Sequence, residues 1–335
     1  MRFLIVGIGG SMGSRRCRNL QALGYTDIYG YDFDNKKQVD TCKKYGVHLL
    51  EYEEFWNEAL DSYNFDAMFV CVPPTKKLEF IKAGNVCEVP VFCEADVQTY
   101  DANYQSSSTL RHHPAIRKIK ESLDNGTLGK VYTFTHHCGN HIADWHPGAD
   151  MKTYYAAQKE TGACREMFCF ELSWLSYLFG DPVDAKAFID KKLNDPDISA
   201  DDVYATAVKF SKEVPAQHGL WVGHANESIT GTVLIDIVSR PAIRELRIVG
   251  EKGTILWNWD NDYIQLSVPN AEDIHIHYER GRAAEGYNKN IPEFMYEQEM
   301  KNWIESLQGK AEYLYSREDE KAVISMLRKV EENNG

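Results

Sequence analysis

The chain has 335 residues, enough for one large domain or two of ordinary size. Its 37 Lys and Arg against 50 Asp and Glu leave a net charge of −13, which opposes phosphate backbones and excludes a nucleic-acid binder. A 43% hydrophobic fraction with 12% aromatics supplies packed cores and excludes a disordered chain; no apolar run reaches the ~18 residues of a membrane-spanning helix.

In chain order, Arg2-Phe3-Leu4-Ile5-Val6-Gly7 reads as a buried strand rather than a leader. A helix is expected over 12–23, stopped by Gly24, then a strand over 28–31 and a polar helix from Asn35. Residues 67–72 form a Val/Cys/Phe-rich strand broken by Pro73-Pro74, followed by a helix over 77–83 and a buried strand over 89–93. A helix over 114–123 leads into the turn Asp124-Asn125-Gly126. This alternation is that of βαβ units and a parallel sheet.

After Gly129 the character changes. Residues 131–135, 183–189, 203–210 and 232–238 alternate in the manner of half-buried strands, interrupted by an apolar helix over 166–179. Two helices, 292–307 and 318–331, close the chain. The expected architecture is α/β: a Rossmann dinucleotide-binding domain over 1–122, then an α+β domain over 123–335 with an open, largely antiparallel sheet. The C-terminal helices are candidates to pack back on the first domain. Residues 139–157 read as a long loop rich in His, Asp and Trp, the kind that often carries function. Eight cysteines without a C-x-x-C pair fit reduced thiols and a cytoplasmic location.

Gly7-Ile8-Gly9-Gly10-Ser11-Met12-Gly13 follows the first strand and opens a helix, so its backbone N–H groups can approach a pyrophosphate. Gly7, Gly9, Gly10, Ser11 and Met12 are therefore candidate cofactor contacts. Asp32 ends the second strand, 32 − 7 = 25 residues on, where its carboxylate accepts from a ribose and repels a 2′-phosphate. NAD is expected over NADP. The glycines at 7, 9, 10 and 13 depart from G-x-G-x-x-G by one residue, and Arg15-Arg16 is expected to be a solvated surface pair. His136-His137-Cys138-Gly139-Asn140-His141 and Asp144-Trp145-His146 contain zinc-ligand types, but neighbouring strand residues face opposite sides, so no metal site is expected.

With these landmarks the chain resembles the GFO/IDH/MocA oxidoreductases over about residues 1–330. Val72-Pro73-Pro74-Thr75 resembles the family's T-P-P segment, and Val91-Phe92-Cys93-Glu94-Ala95-Asp96 its strand ending in E-K-P. Leu110-Arg111-His112-His113-Pro114-Ala115-Ile116 resembles R-F-H-P-A-I, and residues 244–253 resemble R-x-x-x-I-x-G-x-x-G. Gly162-Ala163 with Glu171-Leu172 resembles the glycine-led helix of the second domain. The resemblance implies a homo-oligomer formed through the sheet face, and a sugar or sugar-nucleotide substrate in a cleft between domains. It places Val72, Pro73 and Pro74 beside the nicotinamide and Glu94 near its ribose.

The chain departs from that pattern where chemistry is concentrated. Ala95 stands for the family's Lys, Phe170 for its proton-exchanging His and Ser173 for its Asp. Hydride transfer from an alcohol needs a base and a charge-stabilising donor, so other groups must provide them. His141, His146, Lys159 and Glu166 are the candidate acid–base groups, and Arg111, His112, Trp145 and Tyr155 the candidate substrate contacts. The alternative is a non-redox lyase or hydrolase, or a catalytically silent sugar- or NAD-binding protein.

Overall fold

The computed structural model describes residues 1–50, 59–94, 97–98, 102–145, 148, 150–211, 228–284 and 291–333. Ala95, Asp96 and His146 lie outside the described residues. The chain divides into two units, Met1–Thr109 with Glu293–Arg317, and Leu110–Pro292 with Glu318–Gly335.

The first unit is built on six parallel strands: β1 (Phe3–Val6), β2 (Ile28–Tyr31), β3 (His48–Leu49), β4 (Ala67–Val70), β5 (Val91–Cys93) and β6 (Gln105–Ser106), in the order β3-β2-β1-β4-β5-β6. Every β1 side chain is buried because both faces of the sheet are covered. Phe3 and Ile5 pack with Cys17, Leu20 and Trp303, whereas Leu4 and Val6 pack with Tyr31, Val70 and Phe80. That two-sided burial explains why the sequence shows an apolar run there instead of alternation. The helix after β4 starts at Pro74, three residues before the expected 77, since proline at the first helical turn needs no N–H partner.

The helix Glu293–Leu307 belongs to this unit through more than apolar packing. Its Trp303 lies 5.1 Å from Phe69 and 4.9 Å from Phe92, ring centre to ring centre. Its Glu299, fully buried, accepts from Arg16 (2.7 Å), Ser107 Oγ (2.9 Å), the Ser108 N–H (2.7 Å) and Thr109 Oγ1 (3.0 Å). Arg16 also donates from Nε to Glu94 at 2.7 Å, and Arg15 pairs with Glu293 at 2.9 Å. The expectation of a solvated Arg15-Arg16 pair is thus corrected: both are buried, at 3% and 0% exposure. Carboxylates almost 80 to 280 residues away make that burial possible, and they are invisible in the local sequence.

The second unit carries β7 (Val131–Gly139), β8 (Asp181–Asp190), β9 (Val203–Ser211), β10 (Ser228–Asp236), β11 (Ile243–Gly250), β12 (Thr254–Asn258), β13 (Tyr263–Ser267) and β14 (Ile274–His277). Their order is β14-β13-β12-β11-β7-β10-β9-β8; β7 and β10 run parallel and the other neighbours antiparallel. On β9, Tyr204, Thr206, Val208 and Phe210 point into the core while Ala205, Ala207 and Lys209 point out. The helix Ala163–Phe179 covers the inner face with Phe168, Trp174 and Phe179. Residues 139–157, expected as a loop, include a short helix, Ile142–Trp145, and a 3-10 turn, Tyr155–Ala157.

Removing Glu299's charge leaves Arg16 buried with one carboxylate instead of two, and breaking such a pair costs about 3–5 kcal/mol. Glu299→Gln is expected to lower stability by that order, read as a reduced urea midpoint with an unchanged slope.

Candidate functional site

In the first unit the chemistry gathers at the C-terminal ends of β1, β2, β4 and β5. Gly7 adopts φ +83°, and a Cβ there would stand 2.7 Å from the Cys71 carbonyl oxygen, so the turn after β1 requires glycine. The Gly9 N–H donates to Asp32 Oδ2 at 2.9 Å, and the Asp34 N–H donates to Oδ1 at 3.0 Å. The helix Ser11–Ala22 begins after Gly10 with no side-chain cap and no acidic residue in its first turn. Its positive end, with Gly10 and Ser11 exposed, therefore suits an anion. These features fit a dinucleotide: amides for the pyrophosphate, and a fixed carboxylate for the ribose. Phe33, 54% exposed beside Asp32, packs on Tyr31 and Phe80 and offers a ring to an apolar group.

Val72 and Pro74 are buried and Pro73 is exposed at the end of β4. Glu94, after β5, is held by Arg16 through both of its oxygens, at 2.7 and 3.2 Å. Cys71 lies 3.7 Å from the same carboxylate; burial first, then Glu94, pushes its thiol well above the ordinary range. Lys77 was not singled out in the sequence, yet it is buried and donates to the Glu94 carbonyl at 2.9 Å. A lysine within this helix gives no sequence signal of that kind.

In the second unit the most constrained group is Glu171, fully buried on the helix Ala163–Phe179. It accepts from Trp174 Nε1 at 2.8 Å, contacts His136 Nε2 at 2.9 Å and pairs with Arg244 at 2.8 Å. Burial alone would raise its pKa, but Arg244, then His136 and Trp174, hold it down to about 2. His136 Nδ1 lies 2.8 Å from the Glu245 carbonyl oxygen. Both ring nitrogens thus face acceptors. Arg244 is 21% exposed; its guanidinium carbon stands 4.8 Å from the Trp259 ring centre and 5.9 Å from that of Phe170. His137 faces the opposite side of the sheet and bonds Asp236 at 2.7 Å.

The other sequence-derived candidates are dispersed. Arg111 is 4% exposed, and its guanidinium donates to the Ser173 carbonyl (2.7 Å), Ser176 Oγ (2.8 Å) and Asp319 (3.2 Å), a packing role. His112 is also buried. His141 accepts from the Ala143 N–H through Nδ1 at 3.3 Å, and Trp145 is partly exposed at the end of the same short helix. The Tyr155 hydroxyl donates to Glu166 at 3.4 Å, which brings these two together. Lys159 is exposed, its backbone N–H bound to Ser199 Oγ.

Three comparisons with known proteins bear on this geometry. Residues 1–103 match the model of an oxidoreductase family with an NAD-binding Rossmann fold, and residues 116–256 match the GFO/IDH/MocA C-terminal domain. A D-xylose 1-dehydrogenase [NADP(+)] of Haloarcula marismortui is 19% identical over 294 residues, 80% of this chain and 76% of that protein. An oxidoreductase from Agrobacterium radiobacter, solved with NAD+, L-tartaric acid and magnesium, is 14% identical with a TM-score of 0.78, covering 100% of this chain and 96% of that one. A levoglucosan dehydrogenase solved with NADH and levoglucosan is also 14% identical, with a TM-score of 0.75 and coverage of 100% and 97%.

One group in the second unit sets a pH response. His113 is 1% exposed, and burial, then Arg280 and Arg244, push its pKa down to about 3. Between pH ~6.5 and 3 the unfolded chain binds a proton there that the folded chain does not, so stability falls as pH drops, by up to about 1.4 kcal/mol per pH unit. His113→Asn, which keeps an acceptor for the Ala115 N–H, is expected to flatten that slope in unfolding curves from pH 7 to 4.

Proposed function

The chain belongs to the GFO/IDH/MocA oxidoreductase family, and from that premise we propose that it moves hydride between NAD(H) and a sugar or sugar-nucleotide-type substrate. The observation that carries the cofactor half is the coupling of Gly9 to Asp32 beside an uncapped helix start. In this reading Gly7, Gly9 and Gly10 shape the turn, their N–H groups donating to the Tyr31 carbonyl, Asp32 Oδ2 and the Gly7 carbonyl, and the first amides of the helix, at Ser11 and Met12, take the pyrophosphate. Asp32 accepts from the ribose hydroxyls, and its charge disfavours a 2′-phosphate. Val72, Pro73, Pro74 and Glu94 stand beside the nicotinamide, which supplies the hydride acceptor or donor when bound. No helix among the described residues is long and apolar enough to cross a membrane.

The proton of the substrate hydroxyl is assigned to Glu166, His141, His146 or Lys159. Glu166 is favoured by its partial burial and by the Tyr155 hydroxyl that steadies it. His112, Trp145 and Tyr155 are the proposed sugar contacts. A second reading, a silent or non-redox member of the family, is favoured by Ala95 and by Phe170, whose ring lies against Arg244 and carries no proton. Phe188 and Val183, 82% and 47% exposed on β8, support a homo-oligomer formed through this face. A cytoplasmic location is proposed from the eight free cysteines.

Titration with NADH and then NADPH, followed by energy transfer from tryptophan to the reduced nicotinamide, tests the cofactor assignment. NADH is expected to bind more tightly by at least about tenfold, and Asp32→Ala to erase that preference. Binding of neither nucleotide overturns the proposal. Binding without turnover on any sugar or sugar nucleotide selects the second reading.

A further inference from the structure

Trp259, which follows β12, is bordered by three groups that each carry one buried nitrogen without an acceptor. Among the described residues His113 Nε2, Arg244 Nε and Arg280 Nε are buried without a hydrogen-bond partner. The His113 ring centre lies 5.0 Å from that of Trp259, and the Arg244 guanidinium carbon lies 4.8 Å from it. Arg280 donates to the Trp259 backbone carbonyl at 2.6 Å and to that of Asn261. Since His113 Nδ1 accepts from the Ala115 N–H at 3.2 Å, the ring proton sits on Nε2, the unpartnered atom. A buried donor left this way costs free energy that an incoming acceptor recovers.

The charges are unbalanced in the same sense. Glu171 is the carboxylate that faces Arg244, and it already contacts His136 and Trp174. Arg280 bonds the Trp259 and Asn261 carbonyls and the Tyr278 hydroxyl, and no carboxylate among the described residues forms an ion pair with it. Phe170 and Trp259 give Arg244 two apolar faces, which help to fix the guanidinium.

We propose that Arg244, Arg280 and His113 form a seat for an anionic substituent, a carboxylate or a phosphate carried by the sugar, and that this seat sets the substrate class. The inference rests on the sugar-binding reading above, but not on redox turnover. Arg244 is the fixed donor, clamped by Glu171; Arg280 brings the uncompensated charge; the neutral His113 adds a directional N–H. The hydroxyls of a neutral sugar can accept from these donors but bring no charge to balance the guanidinium groups, and neutral sugars are discriminated against for that reason.

Calorimetric titration of the whole protein with D-glucuronate, D-glucose 6-phosphate and D-glucose, with and without NAD+, tests the seat. One of the two anionic sugars is expected to bind at least about tenfold more tightly than glucose, and which one does so separates carboxylate from phosphate. Arg280→Gln, which leaves the Glu171 network intact, is expected to bring that preference close to unity without changing binding of NADH. Arg244→Lys retains the charge but loses the fork, and is expected to weaken the anionic sugar alone. Equal affinity for all three sugars, no heat from any, or a preference that survives Arg280→Gln overturns the proposal. Anionic-sugar selectivity in a protein that binds no NADH would sustain the seat and overturn the oxidoreductase reading instead.

Discussion

A carboxylate with no exposure to water governs the second unit. Glu171 is desolvated on every side, and an ion in that state persists only if donors replace its hydration. The three that do so come from different elements: Trp174 from the same helix, His136 from β7 and Arg244 from β11. Strand register is thereby pinned. β7 and β11 pair with Cys138 opposite Arg244 and His136 opposite Leu246. A slip of one residue would turn His136 to the face that His137 now occupies, leaving Glu171 without that donor. Arg244 is held in place before any ligand arrives, which is what a recognition group needs.

The first unit solves the converse problem with a buried cation. Arg16 lies within the fold, and its two carboxylates come from the end of β5 and from the returning helix Glu293–Leu307. Because Glu94 is one of them, the carboxylate after β5 is braced by the helix that opens after the glycine turn. The end of β5 and the returning helix are therefore linked to the helix Ser11–Ala22 through a single side chain. Replacing the pair by apolar residues could match its stability, since desolvation offsets much of the attraction, but would release that linkage.

What was legible in the sequence was local. The apolar run at residues 3–6, the glycine turn and Asp32 lie within one βαβ stretch, and period and turn chemistry suffice to read them. The long-range pairings were not legible. Arg16 meets Glu299 across 283 residues, and nothing in the pattern of the helix Ser11–Ala22 distinguishes a buried arginine from a solvated one. Glu171 stood in a quoted motif without a role, and Arg244 opened another; only folding reveals that they touch. Arg111 reads as an anion-seeking residue beside two histidines, and its partners prove to be a helix carbonyl, a serine and the protein's own Asp319. The cluster of His113 with Trp257, Trp259 and Tyr278 joins segments more than 140 residues apart. For the same reason no single window of the sequence could display it.

The order of the eight-stranded sheet has a consequence for how the second unit breathes. β7 is an interior strand, bonded to β10 and β11, while β14 is an edge with one neighbour. Amide protons on β7 are released only by large-scale opening, whereas those of β14 exchange through local fraying. His136 and Glu171 thus belong to the part of the molecule that opens last, and Arg280, three residues beyond the edge strand, to a part that opens early. A ligand bridging Arg244 and Arg280 would join a rigid wall to a yielding one. Its imprint would be slower hydrogen–deuterium exchange along β13 and β14, with β7 unchanged.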